Sequence, residues 1–455
     1  MNRSMTRCAA AALLVLGSAA AAAQTAAPPP PQPATLFTNV RVFDGKGGAL
    51  SAPTNVLVVG KTIKRIGAGA STPEPNTTLT TIDGGGRTLM PGLIDNHAHL
   101  AFYNLPMAVA AAGDPNYVQI RQGAAAREIL MAGFTSVRDV SGPVFGLKRA
   151  IDEGLVAGPR VWPSGPMISQ TSGHNDFRAL SQLPSSVVRE PVPGVRFGYN
   201  YVADGVPAVL VGVREQLMQG ASQIKLAVGG GVSSNYDPID VTEYSLEEIK
   251  AAVGAAEDWG TYVAVHGYTS RAIRRAIEAG VKSIEHGQLL DEPTIKLMGE
   301  KGVWLSTQPF LVDEDAIPTA PGSDNERKYK QVADGTANAY QLAKKYGVKI
   351  AFGTDIQFNP IGAERQAYYL PKIVKWFTPA EALKMATADN AELLALSGPR
   401  NPYPGKLGVV EEGALADLLL VDGDPVANIK LLENPKQNLV VIMKDGKVYK
   451  NTLPR

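Results

Sequence analysis

Cysteine is all but missing from this chain. The single residue, Cys8, falls in an N-terminal segment built like a cleavable secretory signal: Arg3 and Arg7, a short apolar Ala/Leu/Val run, then Ala-Ala-Ala ahead of Gln24. Residues 1–23 are therefore expected to be removed, and the mature chain must be stable without disulfides. Charge of one sign is missing as well. Basic residues number 44 and acidic ones 43, and losing both signal arginines leaves the acidic residues one ahead. That balance gives no reason to expect nucleic acid or an anionic membrane as a partner. The signal's apolar run is short for a spanning helix. The sequence thus predicts a soluble protein, exported to the periplasm or secreted, with no membrane association after cleavage.

What is present supports a large folded body. A 45% hydrophobic share with 7% aromatics over 455 residues suits a sizeable core. Residues 24–35 are Pro-rich and read as an extended linker. From 36 to 90 the chain reads as strands (Phe37–Phe43, Asn55–Val59, Thr62–Ile66) separated by Gly and Asp turns. The segment 401–455 repeats that style, with Ala416–Val421, Leu439–Met443 and Lys447–Tyr449, and an Asp445-Gly446 hairpin signal. The two ends are expected to form one small β-sandwich.

Between them, residues 91–400 alternate short β-rich runs with helical stretches. The runs are Leu93–His97, Thr135–Asp139, Arg160–Pro163, Gln223–Ala227, Tyr262–His266, Ser283–His286, Val303–Ser306 and Lys349–Gly353. Eight such units predict an α/β fold, a TIM-like (β/α)8 barrel whose reactive groups sit at the C-terminal strand ends. A doubly wound sheet is the alternative, but it would not gather residues from eight strands around one axis.

Histidine is scarce, at five residues, and its placement is informative. In Leu93-Ile-Asp-Asn-His-Ala-His-Leu100, His97 and His99 stand two apart in a strand-like run, so both point to one face and can grip one ion. His97, His266 and His286 end predicted strands, and Lys225 and Asp355 lie at or just past such ends. Imidazole and carboxylate together favour zinc or a similar divalent ion. Lys225 is anomalous there, because a free amine of pKa about 10.4 would be cationic and repelled by metal ions.

The motifs Pro91-Gly-Leu-Ile-Asp-Asn-His-Ala-His99, Ile224-Lys225, Val265-His266, Glu285-His286-Gly287 and Gly353-Thr-Asp355 resemble those of the amidohydrolase superfamily, over nearly the whole mature length. Ser172-Gly-His-Asn-Asp176, Gly229-Gly-Gly-Val232, Tyr236-Asp-Pro-Ile-Asp240 and Gly413-Ala-Leu-Ala-Asp417 are similar to loops of its imidazolonepropionase-like and Xaa-Pro or Xaa-Arg dipeptidase branch, whose peptidases are carboxypeptidase-like. The resemblance implies two divalent ions, in the first instance Zn2+. His97 and His99 would take the more buried one and His266 and His286 the more exposed one. It also implies that Lys225 reacts with carbon dioxide to give an N6-carboxylated, anionic side chain that bridges them. Asp355 would coordinate the first ion, take a proton from a metal-bridging hydroxide that attacks the substrate carbonyl, and pass it to the departing amine. His174 and Tyr236 would contact the substrate, with Tyr201 and Tyr268 as alternatives to Tyr236. The implied reaction is hydrolysis of an amide next to a C-terminal amino acid, in a dipeptide or N-acyl amino acid. Barrel faces in this family also support homo-oligomers.

Several readings compete with parts of that picture. Arg138 could pair with Asp139, or hold a substrate carboxylate by its fork. The run Gly229-Gly-Gly231 lacks the Lys and Ser/Thr that a phosphate loop needs, and reads as an active-site loop. A mononuclear deaminase or cyclic-amide hydrolase is the alternative function. Against it, His266-Gly-Tyr-Thr-Ser270 lacks the glutamate such enzymes place after that histidine, and Lys225 would have no purpose. A binding protein on a decayed scaffold predicts a lost ligand, and none is lost. The long segments 166–206 and 307–336 are expected to wall the pocket.

Overall fold

The computed structural model describes residues 30–72, 74–183, 193–316 and 318–454; the expected signal peptide and residues 24–29 of the expected linker lie outside them. Eight parallel strands form the centre: Leu93–Ala98, Phe134–Asp139, Arg160–Pro163, Ile224–Ala227, Val263–Thr269, Ser283–Leu289, Trp304–Thr307 and Ile350–Phe352. Their residues are buried almost without interruption, as expected where helices cover the outside of a parallel sheet. Leu246–Asp258, one of those helices, starts at a capping box in which Ser245 accepts from the Glu248 N–H and Glu248 reaches back.

Backbone ladders do not close the barrel by themselves. The first three strands pair in one sheet and the other five in a second, which two short strands, Ile168–Ser169 and Tyr201–Val202, extend. Side-chain amides span both seams. Asn390 donates to the carbonyls of Ile94 and Phe352 and accepts the Phe352 N–H, joining the first and eighth strands. Gln223 donates to the carbonyls of Asp139 and Trp162, joining the second and third strands to the fourth. Asn390 directly follows a π-helical turn, Met385–Asp389, and such turns recur where a helix must re-aim a residue.

The chain ends build an eight-stranded mixed sheet. The expected domain of both chain ends is organised on Gln32–Val42, whose first half pairs with Thr54–Val59 and Thr77–Asp83 and whose second half pairs with Thr88–Pro91. Phe37, Val56, Leu420 and Val441 share one core, so the N- and C-terminal strands fold together. The first strand begins at Gln32, so residues 32–35 are paired strand where a linker was expected. Arg160 fastens this sheet to the barrel. Its guanidinium forks onto Asp417 at 2.7 and 3.2 Å and reaches Asp445 at 2.7 Å. Among the described residues no helix is long and apolar enough to cross a membrane.

Candidate metal centre and substrate cavity

The five imidazole rings lie in one contiguous row across the C-terminal mouth of the barrel. Ring centroids run 5.3 Å from His99 to His97, 4.8 Å on to His286, 4.5 Å on to His266 and 3.9 Å on to His174. Asp355, past the eighth strand, meets the row. Its Oδ1 lies 3.4 Å from His97 Nε2 and 3.0 Å from His99 Nε2, and its Oδ2 lies 3.9 Å from His286 Nδ1. Ligand atoms of His97, His286 and Asp355 fall within 4.8 Å of one another. The structure thus brings His97 and His286, which the sequence reading gives to neighbouring ions, within reach of one carboxylate.

Two backbone distortions aim these groups. A regular strand sends neighbouring residues to opposite faces, yet Glu285 and His286 both contact His97 inside the barrel. His286 achieves this with φ of 80°, and Asp355 has φ of 55°. Non-glycine residues are uncommon in that region, and such outliers cluster at functional sites.

The electrostatics suit a cation. Burial lowers the pKa of His99, His266 and His286, so these rings are neutral, the form that ligates metal. Burial alone would push Asp355 up, but His97 holds it well below the usual carboxylate range. Although His99 Nε2 is close to Asp355, the angle makes no hydrogen bond, and both His99 ring nitrogens are buried without one. Such orphaned polar atoms are costly, and a metal ion is a partner they fit. Lys225, in the fourth strand, is 2% exposed. Its ammonium forms no ion pair or hydrogen bond with the described residues, and burial lowers its pKa to about 8.

Beside the row opens a cavity of about 330 Å3, with His174, His266 and Lys225 at its base and Phe102, Phe177 and Phe358 in its walls. A second cavity of about 390 Å3 adjoins it, sharing His174, His266 and Phe358 and adding Tyr268, Ser323 and Asn325. Both long loop segments expected to wall the pocket contribute. Tyr236 is half-exposed in the first cavity, whereas Tyr268 is buried against His266 and His286 in the second. Tyr201 turns away to Glu215.

Arg138 requires a correction. Its pairing is with Glu285 at 2.7 Å, not with Asp139, and the guanidinium also bonds the Asn96 carbonyl and Tyr262. It is fully buried below the strand ends, with its donors committed to protein and no fork left for a substrate. Asp139 makes no ion pair with the described residues, and burial raises its pKa well above the carboxylate range, outweighing the backbone N–H groups of Leu100 and Ser141 and the more distant Lys225.

Sequence reading missed the groups that hold the row in place. Glu285 accepts from His97 Nδ1 at 2.8 Å, Gln308 binds His286 Nδ1 at 2.8 Å, and Asp237, Ser234 and Glu243 surround His174. Glu285 carried a signal, being adjacent to His286, although regular strand alternation would place the two on opposite faces. The others come from distant loops and left no local signature.

The sequence profile described as Amidohydrolase family matches residues 88–450. The chain belongs to that family, and it is a metal-dependent amidohydrolase. Ochratoxinase from Aspergillus niger is 34% identical over 405 residues, covering 87% of this chain and 82% of that protein. A prolidase solved with N-methylphosphonate-L-proline superposes with a TM-score of 0.83 at 34% identity, covering 92% of this chain and all of that one. A Xaa-Pro dipeptidase with bound methionine in its active site gives 0.77 at 30% identity, over 92% and 100%.

Proposed function

We propose that the protein is an exported binuclear hydrolase that cleaves the amide bond preceding a C-terminal amino acid, in dipeptides or N-acyl amino acids. The observation that carries this reading is Lys225: a buried amine with no ion pair or hydrogen bond among the described residues, lining an open cavity together with His99 and His266. Attack of its neutral nitrogen on carbon dioxide forms an N–C bond, releases one proton and turns an unfavourable cation into an anion with two ligand oxygens. His97, His99 and Asp355 would then hold one divalent ion and His266 and His286 the other, with carboxylated Lys225 between them. Zinc fits this donor set.

Bound ions would supply a water of lowered pKa and a polarised carbonyl. Asp355 accepts the water's proton and delivers it to the amine nitrogen as the C–N bond breaks. His174 and Tyr236 bind the substrate's carboxylate or developing oxyanion. The apolar walls exclude bulk water and favour uncharged side chains. Similarity to an ochratoxinase, a prolidase and a Xaa-Pro dipeptidase supports this substrate class.

The test is metal content by plasma mass spectrometry on mature protein, with a panel of dipeptides and N-acyl amino acids assayed with and without zinc and bicarbonate. About two ions per chain are expected, with amide hydrolysis lost in Lys225→Ala. One ion per chain and a fully active Lys225→Ala would sink the binuclear mechanism.

A further inference from the structure

We infer that Asp237, Ser234 and Lys328 are positioning residues that fix the ring tautomer and direction of His174; the inference builds on the proposed contact between His174 and substrate. His174 is gripped on several sides. Its backbone N–H donates to Glu243 at 2.9 Å, and its ring stacks on His266 at an interplanar angle of 13°. Gly231 lies so close that a Cβ there would fall 1.9 Å from Nδ1.

The hydrogen-bond directions assign the proton. Asp237 Oδ2 accepts from the Gly231 N–H and from Ser234 Oγ, each at 2.6 Å. Burial pushes the Asp237 carboxyl up, but these bonds and His174 outweigh it and hold the group below its ordinary range. Ser234 has one hydroxyl proton, and the charged Asp237 carboxylate at 2.6 Å takes it in preference to the uncharged ring nitrogen, because donation to the ring would leave two oxygens facing each other without a proton; the Gly231 carbonyl is 3.5 Å away. Its oxygen, 2.7 Å from His174 Nδ1, can then only accept. Nδ1 therefore carries the hydrogen, and Nε2 is left for the two cavities that His174 lines.

Lys328 secures the loop that carries this arrangement. It comes from the helix Asp324–Lys345, after the seventh barrel strand, and is 4% exposed. Its ammonium donates to the carbonyls of Gly231, Ser234 and Asp237 at 3.0, 3.2 and 2.8 Å. The nearest carboxylate in an ion pair, Asp324, is exposed and 3.9 Å away. A buried cation is costly unless its donors are satisfied, and here all three bind the backbone on either side of the serine and aspartate that hold His174. Asn325, three residues earlier, ties the Val232 carbonyl at 2.7 Å.

The experiment is long-range 15N NMR on 15N-histidine-labelled protein as purified, with His174 assigned from the signal lost in His174→Gln. Wild type is expected to show the Nδ1–H tautomer at His174. Asp237→Asn and Lys328→Met should shift it to a mixture, while Lys328→Arg, which keeps a charged multiple donor, should retain the wild-type pattern. In parallel, kcat/KM for an N-acyl amino acid should fall about 10–100-fold in Lys328→Met and be retained in Lys328→Arg, with zinc content near wild type in both. A wild-type Nε2–H tautomer, or an unchanged Nδ1–H pattern in both Asp237→Asn and Lys328→Met, would overturn the inference. Should those variants fail to fold, Ser234→Ala, a loss of one hydroxyl, decides by the same NMR criterion. The NMR pattern is read without substrate, so a wild type that cleaves no amide would remove the proposed function and leave this inference standing.

Discussion

At the scale of single residues, the environment of a group decides its chemistry. Lys225 with a pKa near 8 is about one-tenth neutral amine at pH 7, against about one part in 3,000 for a lysine at 10.5. Only the neutral amine reacts with carbon dioxide. Reconstitution of stripped enzyme with zinc, at a dissolved carbon dioxide concentration held constant across the pH series, should therefore speed up about ten-fold per pH unit below pH 8 and level off above it, as followed by recovered activity. Glu243 behaves in the opposite sense. Burial pushes its carboxyl from 4.5 up to about 8, so between those values the folded chain holds a proton that the unfolded chain has lost. Stability should fall as pH rises through that window, by at most about 1.4 kcal/mol per unit. Glu243→Gln should flatten the fall, measured as Tm from pH 5 to 8.5.

At the scale of elements, the site depends on close approaches that one methyl group would spoil. Gly353, at the end of the eighth strand, leaves so little room that a Cβ would lie 2.4 Å from His97 Cβ and 2.8 Å from its backbone nitrogen. Gly353→Ala should force His97 and Asp355 apart and lower zinc content by at least half, with the far-UV circular dichroism unchanged. Asn390→Leu tests the seam between the first and eighth strands. It would orphan the buried Ile94 and Phe352 carbonyls and the Phe352 N–H, an effect of about 1–3 kcal/mol for each unsatisfied group. Denaturant unfolding and hydrogen exchange at Phe352 should both register it.

At the scale of the whole molecule, the barrel and the terminal sheet are joined through a buried charge cluster. Arg160 carries two carboxylates from the C-terminal segment, and that pairing outweighs burial to raise its pKa. Arg160→Met would leave Asp417, itself 3% exposed, without its cation. Breaking a buried pair from one side typically destabilises by about 3–5 kcal/mol, so Tm should drop by many degrees. Loss of the distant zinc site should follow only on unfolding, which calorimetry with zinc release can separate.

The barrel, its eight strands and the gathering of histidines at its mouth were legible in the sequence. Those features have local causes: strand and helix periodicity, a two-residue histidine spacing, and polar residues at strand ends. The sequence could not assign Arg138, because a strand position does not say which of several carboxylates across the barrel will be nearest. Only the folded chain set Glu285 beside Arg138 and His97. The left-handed turn at His286, the amide seams at Gln223 and Asn390, and the loop that Lys328 pins beneath His174 were likewise decided in three dimensions. Each joins residues far apart in the chain, and the forces that join them are contacts, burial and hydrogen-bond direction, which have no period along a sequence.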